Sequence, residues 1–87
     1  MPIWRLTPIP SQRHDPAWLA STYTGEVVVR AAHERHARAV AAGAFSTALP
    51  LRGPWTQARL VTCTPETDSP YPEQGADEVL WPQEEAG

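Results

Sequence analysis

The stretch EVVVRA at residues 26–31 passes directly into AHERHARAVAAGAF at residues 32–45, and this change of pattern decides the fold. Three consecutive β-branched valines favour a strand, and a run apolar on both faces places it centrally in a sheet. The following stretch has a helical period: Ala37, Val40, Ala41 and Ala44 share one face, with Arg35 and Arg38 on the other. A strand followed by a helix with a narrow alanine face, able to lie close to a sheet, is predicted.

Three further strands are predicted on either side of this unit. Ile3 to Thr7 alternates, with Trp4 and Leu6 on one face. Ala58 to Cys63 is predicted as the third strand, and Glu78 to Trp81 as an edge strand ended by Pro82. The order β-β-α-β-β predicts the α+β class, with a small, mainly antiparallel sheet of three to four strands. One helix packs on one face, and the other face is left partly open.

Two loops and a turn complete this prediction. Asp15-Pro16-Ala17-Trp18 has the cap and first-position proline of a single helical turn, with Trp18 as its anchor. Pro50 to Pro54 and Thr64 to Gly75 are predicted to be loops. Four tryptophans are too many for one helix to cover, so at least one is expected at the surface.

The length of 87 residues predicts one domain, residues 1–87, with an acidic, loop-rich segment at about 64–87. So small a core leaves little room for a deep pocket, which favours binding by an outer surface. There is no signal-peptide pattern and no apolar run long enough to span a bilayer. The single cysteine, Cys63, excludes an intrachain disulfide and fits a reducing compartment. A cytoplasmic location without membrane contact is therefore expected, with the chain a monomer or a homodimer.

Charge is distributed unevenly along the chain. Residues 1–60 carry all seven arginines and a net charge of +4, whereas residues 61–87 carry seven acids and no base. An acidic surface repels nucleic acid and attracts the basic grooves of proteins that bind it. A protein partner is therefore expected, and direct nucleic-acid binding is not. The alternative is a nucleic-acid face of arginines; these are instead interpreted as a solvated helix face and strand ends: Arg30, Arg35, Arg38, Arg52 and Arg59.

No catalytic, cofactor-binding or metal-binding residue is predicted. His33 and His36 are three residues apart, whereas the zinc-protease helix needs histidines four apart, so they are interpreted as solvated or helix-capping. Cys63 has no cationic neighbour in sequence and is expected to be a buried, inert thiol. The start Met1-Pro2-Ile3 is similar to that of the small tautomerases, which use an amino-terminal proline as base. Those enzymes continue from their first strand into a long helix, which Pro8, Pro10 and Pro16 oppose here.

The acidic segment supplies the predicted partner-binding set. Aromatic side chains interleaved with carboxylates combine contact anchors with steering charge. The set is Glu66, Asp68, Tyr71, Glu73, Asp77, Glu78 and Trp81. An ordinary solubilising loop is the alternative interpretation of the same residues.

Several stretches together resemble small proteins of bacteria and their mobile elements that include anti-CRISPR proteins, in particular inhibitors of type I-C systems. These stretches span most of the chain: residues 4–8, 15–18, 25–31, 54–55 and 60–63. The resemblance implies a non-enzymatic inhibitor that binds subunits of the RNA-guided surveillance complex and blocks recruitment of target DNA. Such complexes hold nucleic acid in basic channels, which fits an acidic binding segment. The alternatives are a bacterial regulatory or interaction module and, third, a tautomerase-like enzyme using Pro2.

Overall fold

A computed structural model describes residues 1–82 of the chain. Its four strands and one helix are, in chain order, β1 (Ile3–Pro8), β2 (Val27–Arg30), α1 (Glu34–Ala44), β3 (Val61–Glu66) and β4 (Glu78–Trp81). Short 3-10 turns lie at Pro10–Gln12, Pro16–Ala20 and Pro54–Thr56. The predicted α+β class and the order β-β-α-β-β are confirmed.

The sheet is antiparallel throughout and has the order β3-β1-β2-β4. β1 and β2 form its centre, with Trp4 opposite Val29 and Leu6 opposite Val27. β4 pairs with the free edge of β2, and a register shift between Val28 and Val29 marks an irregularity there. The valine run is thus central, as its apolar character on both faces predicts.

The main core lies between one sheet face and α1. Leu6, Val27 and Val29 of the sheet are fully buried there, together with Ala37 and Ala41 of α1. Alanine at these helix positions lets the helix lie close to the strands, as the sequence predicts. Two tryptophans from the 3-10 turns close the side of this core: Trp18 and Trp55 meet edge to face with ring centroids 5.4 Å apart.

The helix and the second 3-10 turn begin at side-chain caps. Asp15 Oδ1 accepts a 2.9 Å hydrogen bond from the Ala17 amide, with Pro16 in the first turn position, as predicted. His33 Nδ1 accepts from the His36 amide at 3.1 Å and so caps α1. Glu34 and Arg38 form an i,i+4 pair, with 3.0 Å between Oε2 and Nε.

The opposite face of the sheet is covered in part by the connection between β3 and β4. We call residues 67–77 the strap, because β3 and β4 are the two edges of the sheet and the connection must pass from one to the other. Tyr71 of the strap packs against Ile3, Val28 and Leu80, which form a second, smaller apolar cluster. The strap therefore lies on the face that α1 leaves uncovered.

Three details of the sequence interpretation are wrong. β3 begins at Val61, not Ala58, and continues to Glu66 through a stretch interpreted as loop. Pro65 is compatible with this because β3 is an edge strand and needs no donor on its outer side. Ala44 is exposed. Arg30 and Arg38, interpreted as solvated, are only 5% and 8% exposed.

The two buried arginines share one feature: each guanidinium donates to a backbone carbonyl that is distant in sequence. Arg38 Nη1 donates to the Trp55 carbonyl at 3.1 Å in addition to its bond with Glu34. The carbonyl comes from a distant 3-10 turn, so no local pattern predicts it.

No helix in residues 1–82 has the length and apolarity needed to cross a membrane.

Candidate partner-binding surface on the strap face

Arg30 holds the strap against the sheet. Its Nε donates to the Ala76 carbonyl at 2.8 Å, its Nη1 to the Pro72 carbonyl at 2.9 Å and its Nη2 to Glu78 Oε1 at 2.5 Å. Two nitrogens of one buried guanidinium thus bind the strap, and the third binds the first residue of β4. Charge-assisted hydrogen bonds of this kind are stronger than neutral ones. The strap is therefore a fixed part of the surface.

Gly75 is the point of closest approach between the strap and this guanidinium. Its φ of +127° is a conformation that glycine adopts without a side-chain clash. A Cβ atom there would lie 2.6 Å from Arg30 Nη2 and 2.8 Å from Arg30 Cζ. Glycine thus permits both the turn and the contact.

A second arginine, Arg5, gathers carboxylates on the same face. Its Nε and Nη2 donate to the two oxygens of Glu66 at 2.8 and 3.0 Å, and its Nη1 bonds to Glu26. The hydrogen bond from Arg5 lowers the pKa of Glu66, with the charge of Arg5 acting in the same direction. Glu66 therefore loses its charge at a lower pH than an ordinary glutamate does.

The seven predicted site residues fall into two groups. Four are engaged within the fold: Glu66 with Arg5, Tyr71 with the apolar cluster, Asp77 with His36, and Glu78 with Arg30. The other three are exposed, and Trp81 is 49% exposed. Asp68 and Glu73 form no ion pair within residues 1–82. These three exposed side chains are therefore the members of the set left to contact a partner, together with the outer part of Glu78, whose side chain is 55% exposed.

The residues that organise this surface were not in the predicted set. Arg30, Arg5 and His36 are far from the acidic segment in sequence, since Arg30 precedes its partner Glu78 by 48 residues. One signal was available: Arg30 lies on the strand predicted to be central, where a charged side chain needs a partner. The acidic segment carries most of the carboxylates and so was the main source of such a partner.

The two histidines considered as metal ligands have structural roles, since His33 caps α1 and His36 pairs with Asp77. After β1 the chain enters the 3-10 turn at Pro10–Gln12, as the prolines predict. Within residues 1–82, no three histidine, cysteine or acidic side chains converge as metal ligands would. Burial raises the pKa of the Cys63 thiol to about 11, so it is protonated at neutral pH.

Comparisons with protein-family models, curated proteins and solved structures find no significant match to this chain.

Proposed function

We propose that the protein is a non-enzymatic inhibitor that binds a protein partner through its strap face and acts in the cytoplasm of a host cell. The proposed partner is a type I-C CRISPR surveillance complex, and the proposed effect is to prevent recruitment of target DNA. This identity rests on the resemblance described above. The strap face supports the mode of action.

The observation that carries the proposal is an acidic surface that is held in place. Residues 66–78 contain five carboxylates and no basic residue. Their main chain is fixed by two hydrogen bonds from Arg30 to the Pro72 and Ala76 carbonyls and by Tyr71 on the sheet, and Arg30 also binds the Glu78 carboxylate. The Met1 amino group adds a hydrogen bond of 2.8 Å to the Glu73 carbonyl. A surface ordered before binding loses less conformational entropy on association than a free loop.

Trp81 supplies an exposed aromatic side chain at the end of β4. It closes β4 and is about half exposed. Tryptophan is the most favoured residue type at the energetic centre of protein interfaces, whereas exposed carboxylates mainly raise the rate of encounter with a basic surface. Trp81 is therefore the proposed anchor, with Asp68 and Glu73 as the proposed steering charges.

The test is a tagged pull-down from cells that express a type I-C surveillance complex, followed by a target-DNA binding assay on the recovered complex. Enrichment of its subunits together with loss of DNA binding supports the proposal. Failure to enrich them removes this partner, and a different host protein recovered instead favours an interaction module of another kind.

Two matched variants locate the surface. Asp68→Asn/Glu73→Gln removes two negative charges from side chains without an ion pair in residues 1–82. Ala39→Lys/Thr56→Lys changes the net charge by the same amount at exposed positions outside the strap. The first variant should slow association severalfold, most at low salt, and the second should not. Equal effects of both would show that net charge alone matters and would exclude the strap face as the interface.

A further inference from the structure

Three leucines are exposed on two segments of the chain away from the strap. Leu19, Leu49 and Leu51 are 66%, 48% and 46% exposed. In residues 1–82 the other large apolar side chains exposed to a similar degree are Met1 and Trp81. Single exposed apolar side chains are ordinary, whereas a group of them on one surface marks an interaction site. The contacts between the two segments therefore decide what the three leucines mean.

The loop that follows α1 is held at both ends against the second 3-10 turn, which contains Leu19. Before the loop, Ser46 forms an antiparallel bridge with Ser21, directly after the turn. Behind the loop, a Cβ atom on Gly53 would lie 3.9 Å from the carbonyl oxygen of Ala20. The loop carries the other two leucines, so all three lie on neighbouring segments of one exposed region.

Arg59 joins the two segments from the side. Its Nη1 donates to Asp15 Oδ2 at 2.9 Å, and Asp15 caps the second 3-10 turn. Its Nη2 donates to Gln57 Oε1 at 3.1 Å. Gln57 in turn donates from Nε2 to the carbonyl of Arg52 at 3.3 Å, at the end of the loop. The guanidinium of Arg59 therefore lies between the start of the turn and the end of the loop.

Positive charge exceeds negative charge in this region. The charged residues of the two stretches, 9–25 and 46–60, are Arg13, Asp15, Arg52 and Arg59. Three arginines against one aspartate give a net charge of +2 with His14 neutral. Arg59 pairs with Asp15, and Arg13 donates to a neutral backbone carbonyl. Arg13 and Arg52 are exposed and form no ion pair within residues 1–82, so their charges are available to a partner.

The region lies at the end of the sheet opposite to the strap. The Ile9 amide donates to the Leu60 carbonyl at 2.9 Å, just after β1 and just before β3. The strap begins after Glu66, which pairs with Ile3 at the other end of β1. The uneven charge along the chain thus becomes a separation in space, with carboxylates of the strap at one end and unpaired arginines at the other.

We propose that this region docks an acidic segment of a partner protein that carries large apolar side chains between its carboxylates. We call it the end surface, formed by Leu19, Leu49, Leu51, Arg13, Arg52 and Arg59. The apolar side chains cover the leucines, and the carboxylates pair with Arg13 and Arg52. Guanidinium groups bind carboxylates through paired hydrogen bonds, and arginine is enriched at protein interfaces.

Nucleic acid suits the end surface less well than an acidic protein segment does. Single-stranded nucleic acid binds by stacking its bases on aromatic side chains as well as by charge. The exposed apolar side chains of the end surface are aliphatic, and the nearby Trp18 and Trp55 are buried. The proposal does not depend on the proposed function, which uses the other end of the sheet.

The experiment uses a random dodecapeptide library displayed on phage and selected on the full chain. Selection is repeated on Leu49→Ser/Leu51→Ser, which removes two exposed apolar side chains from the loop. The best peptide from the full chain is made synthetically and titrated by fluorescence anisotropy, and its contacts are mapped by amide chemical shifts. A dodecathymidylate oligonucleotide is titrated in parallel as the nucleic-acid probe. Circular dichroism confirms that each variant is folded.

Two charge variants test the role of the unpaired arginines. Arg13→Gln/Arg52→Gln removes two positive charges from the end surface. Arg35→Gln/Ala39→Glu lowers the net charge by the same amount at exposed positions of α1. The first variant should weaken binding of the peptide at least about fivefold, and the second less than about twofold.

The expected result is enrichment of peptides that combine acidic with large apolar residues, lost with Leu49→Ser/Leu51→Ser. The shifted amides should lie in 13–22 and 46–59. Equal enrichment on the chain and on the serine variant, enrichment of basic peptides, or equal weakening by both charge variants would overturn the proposal. So would dodecathymidylate that binds more tightly than the peptide and is lost with Arg13→Gln/Arg52→Gln, because nucleic acid would then be the ligand.

Discussion

The guanidinium of Arg30 fills the space that a side chain at residue 75 would need: a Cβ on Gly75 would lie 2.6 Å from its Nη2 atom. The arginine has no free rotation with which to yield, because it is 5% exposed and its three nitrogens are all hydrogen-bonded. Gly75 and Arg30 therefore form one rigid contact between the strap and the sheet.

Gly75→Ala should destabilise the fold. The φ of +127° is unfavourable for any residue with a Cβ atom, and the added methyl group meets a fixed guanidinium. The expected loss is about 1–3 kcal/mol in the free energy of unfolding, measured by urea denaturation. The matched control is Gly43→Ala in α1, where a Cβ atom would meet nothing within 4 Å. It should stabilise the protein by about 0.5–1 kcal/mol, and the same sign in both variants would contradict this explanation.

Arg30→Met should release the strap. The substitution retains apolar volume but leaves the carbonyls of Pro72 and Ala76 and the carboxylate of Glu78 without their donor. The expected cost is about 2 kcal/mol or more, with faster amide hydrogen exchange confined first to 67–77. Arg35→Met, at an exposed helix position, should change stability by less than about 0.5 kcal/mol. Unchanged exchange in the strap of Arg30→Met would show that Tyr71 alone holds it.

The free energy of unfolding should decrease at acidic pH. A hydrogen bond from the Ala17 amide and then one from Arg59 lower the pKa of Asp15, and Arg5 lowers that of Glu66. The unfolded chain thus binds protons at these two carboxylates more readily than the folded chain does. The stabilisation is therefore complete above the pKa values of the two groups in the unfolded chain, about 4, and declines as the pH falls below them.

Asp15→Asn separates the titration from the cap. The amide oxygen still accepts from Ala17, but the group no longer ionises. The urea midpoint of this variant should decline less steeply between about pH 5 and pH 2 than that of the wild type. Parallel curves for the two proteins would mean that Asp15 makes no contribution to acid sensitivity.

Cys63 should react slowly with thiol reagents. A pKa of about 11, raised by burial, leaves about a hundredfold less thiolate at neutral pH than an ordinary cysteine has. Alkylation by iodoacetamide, followed by mass spectrometry, should therefore be slow in buffer and fast in concentrated urea. Equal rates in the two solvents would show that the thiol is as accessible and acidic in the fold as in the unfolded chain.

The sequence predicted the positions of the strands and the helix more accurately than the contacts that their side chains make. The three valines of β2 and the alanine face of α1 are local signals, and both place their elements correctly. The alternation in β1 also assigned its faces, since Leu6 joins the core under α1 and Ile3 the cluster under the strap. The expectation that at least one of the four tryptophans lies at the surface is confirmed by Trp81.

The contacts that shape the strap face could not be read from local pattern. The burial of Arg30 depends on carbonyls of Pro72 and Ala76, more than 40 residues away. Their position follows from the order β3-β1-β2-β4, which sends the last connection across the sheet. Periodicity carries no information on strand order, so the sequence did not predict that four of the seven selected side chains of the acidic segment are engaged in the fold.

The position of the Arg30 acceptors also bears on how the chain folds as it leaves the ribosome. Synthesis from the amino terminus delivers β2 and α1 early, but the acceptors at residues 72–78 emerge more than 40 residues later. Until then the guanidinium remains hydrated and the face bearing Ile3 and Val28 stays open to water. A segment made late, the strap, therefore seals the sheet, and a nascent chain interrupted before it exposes an apolar face to chaperones and proteases.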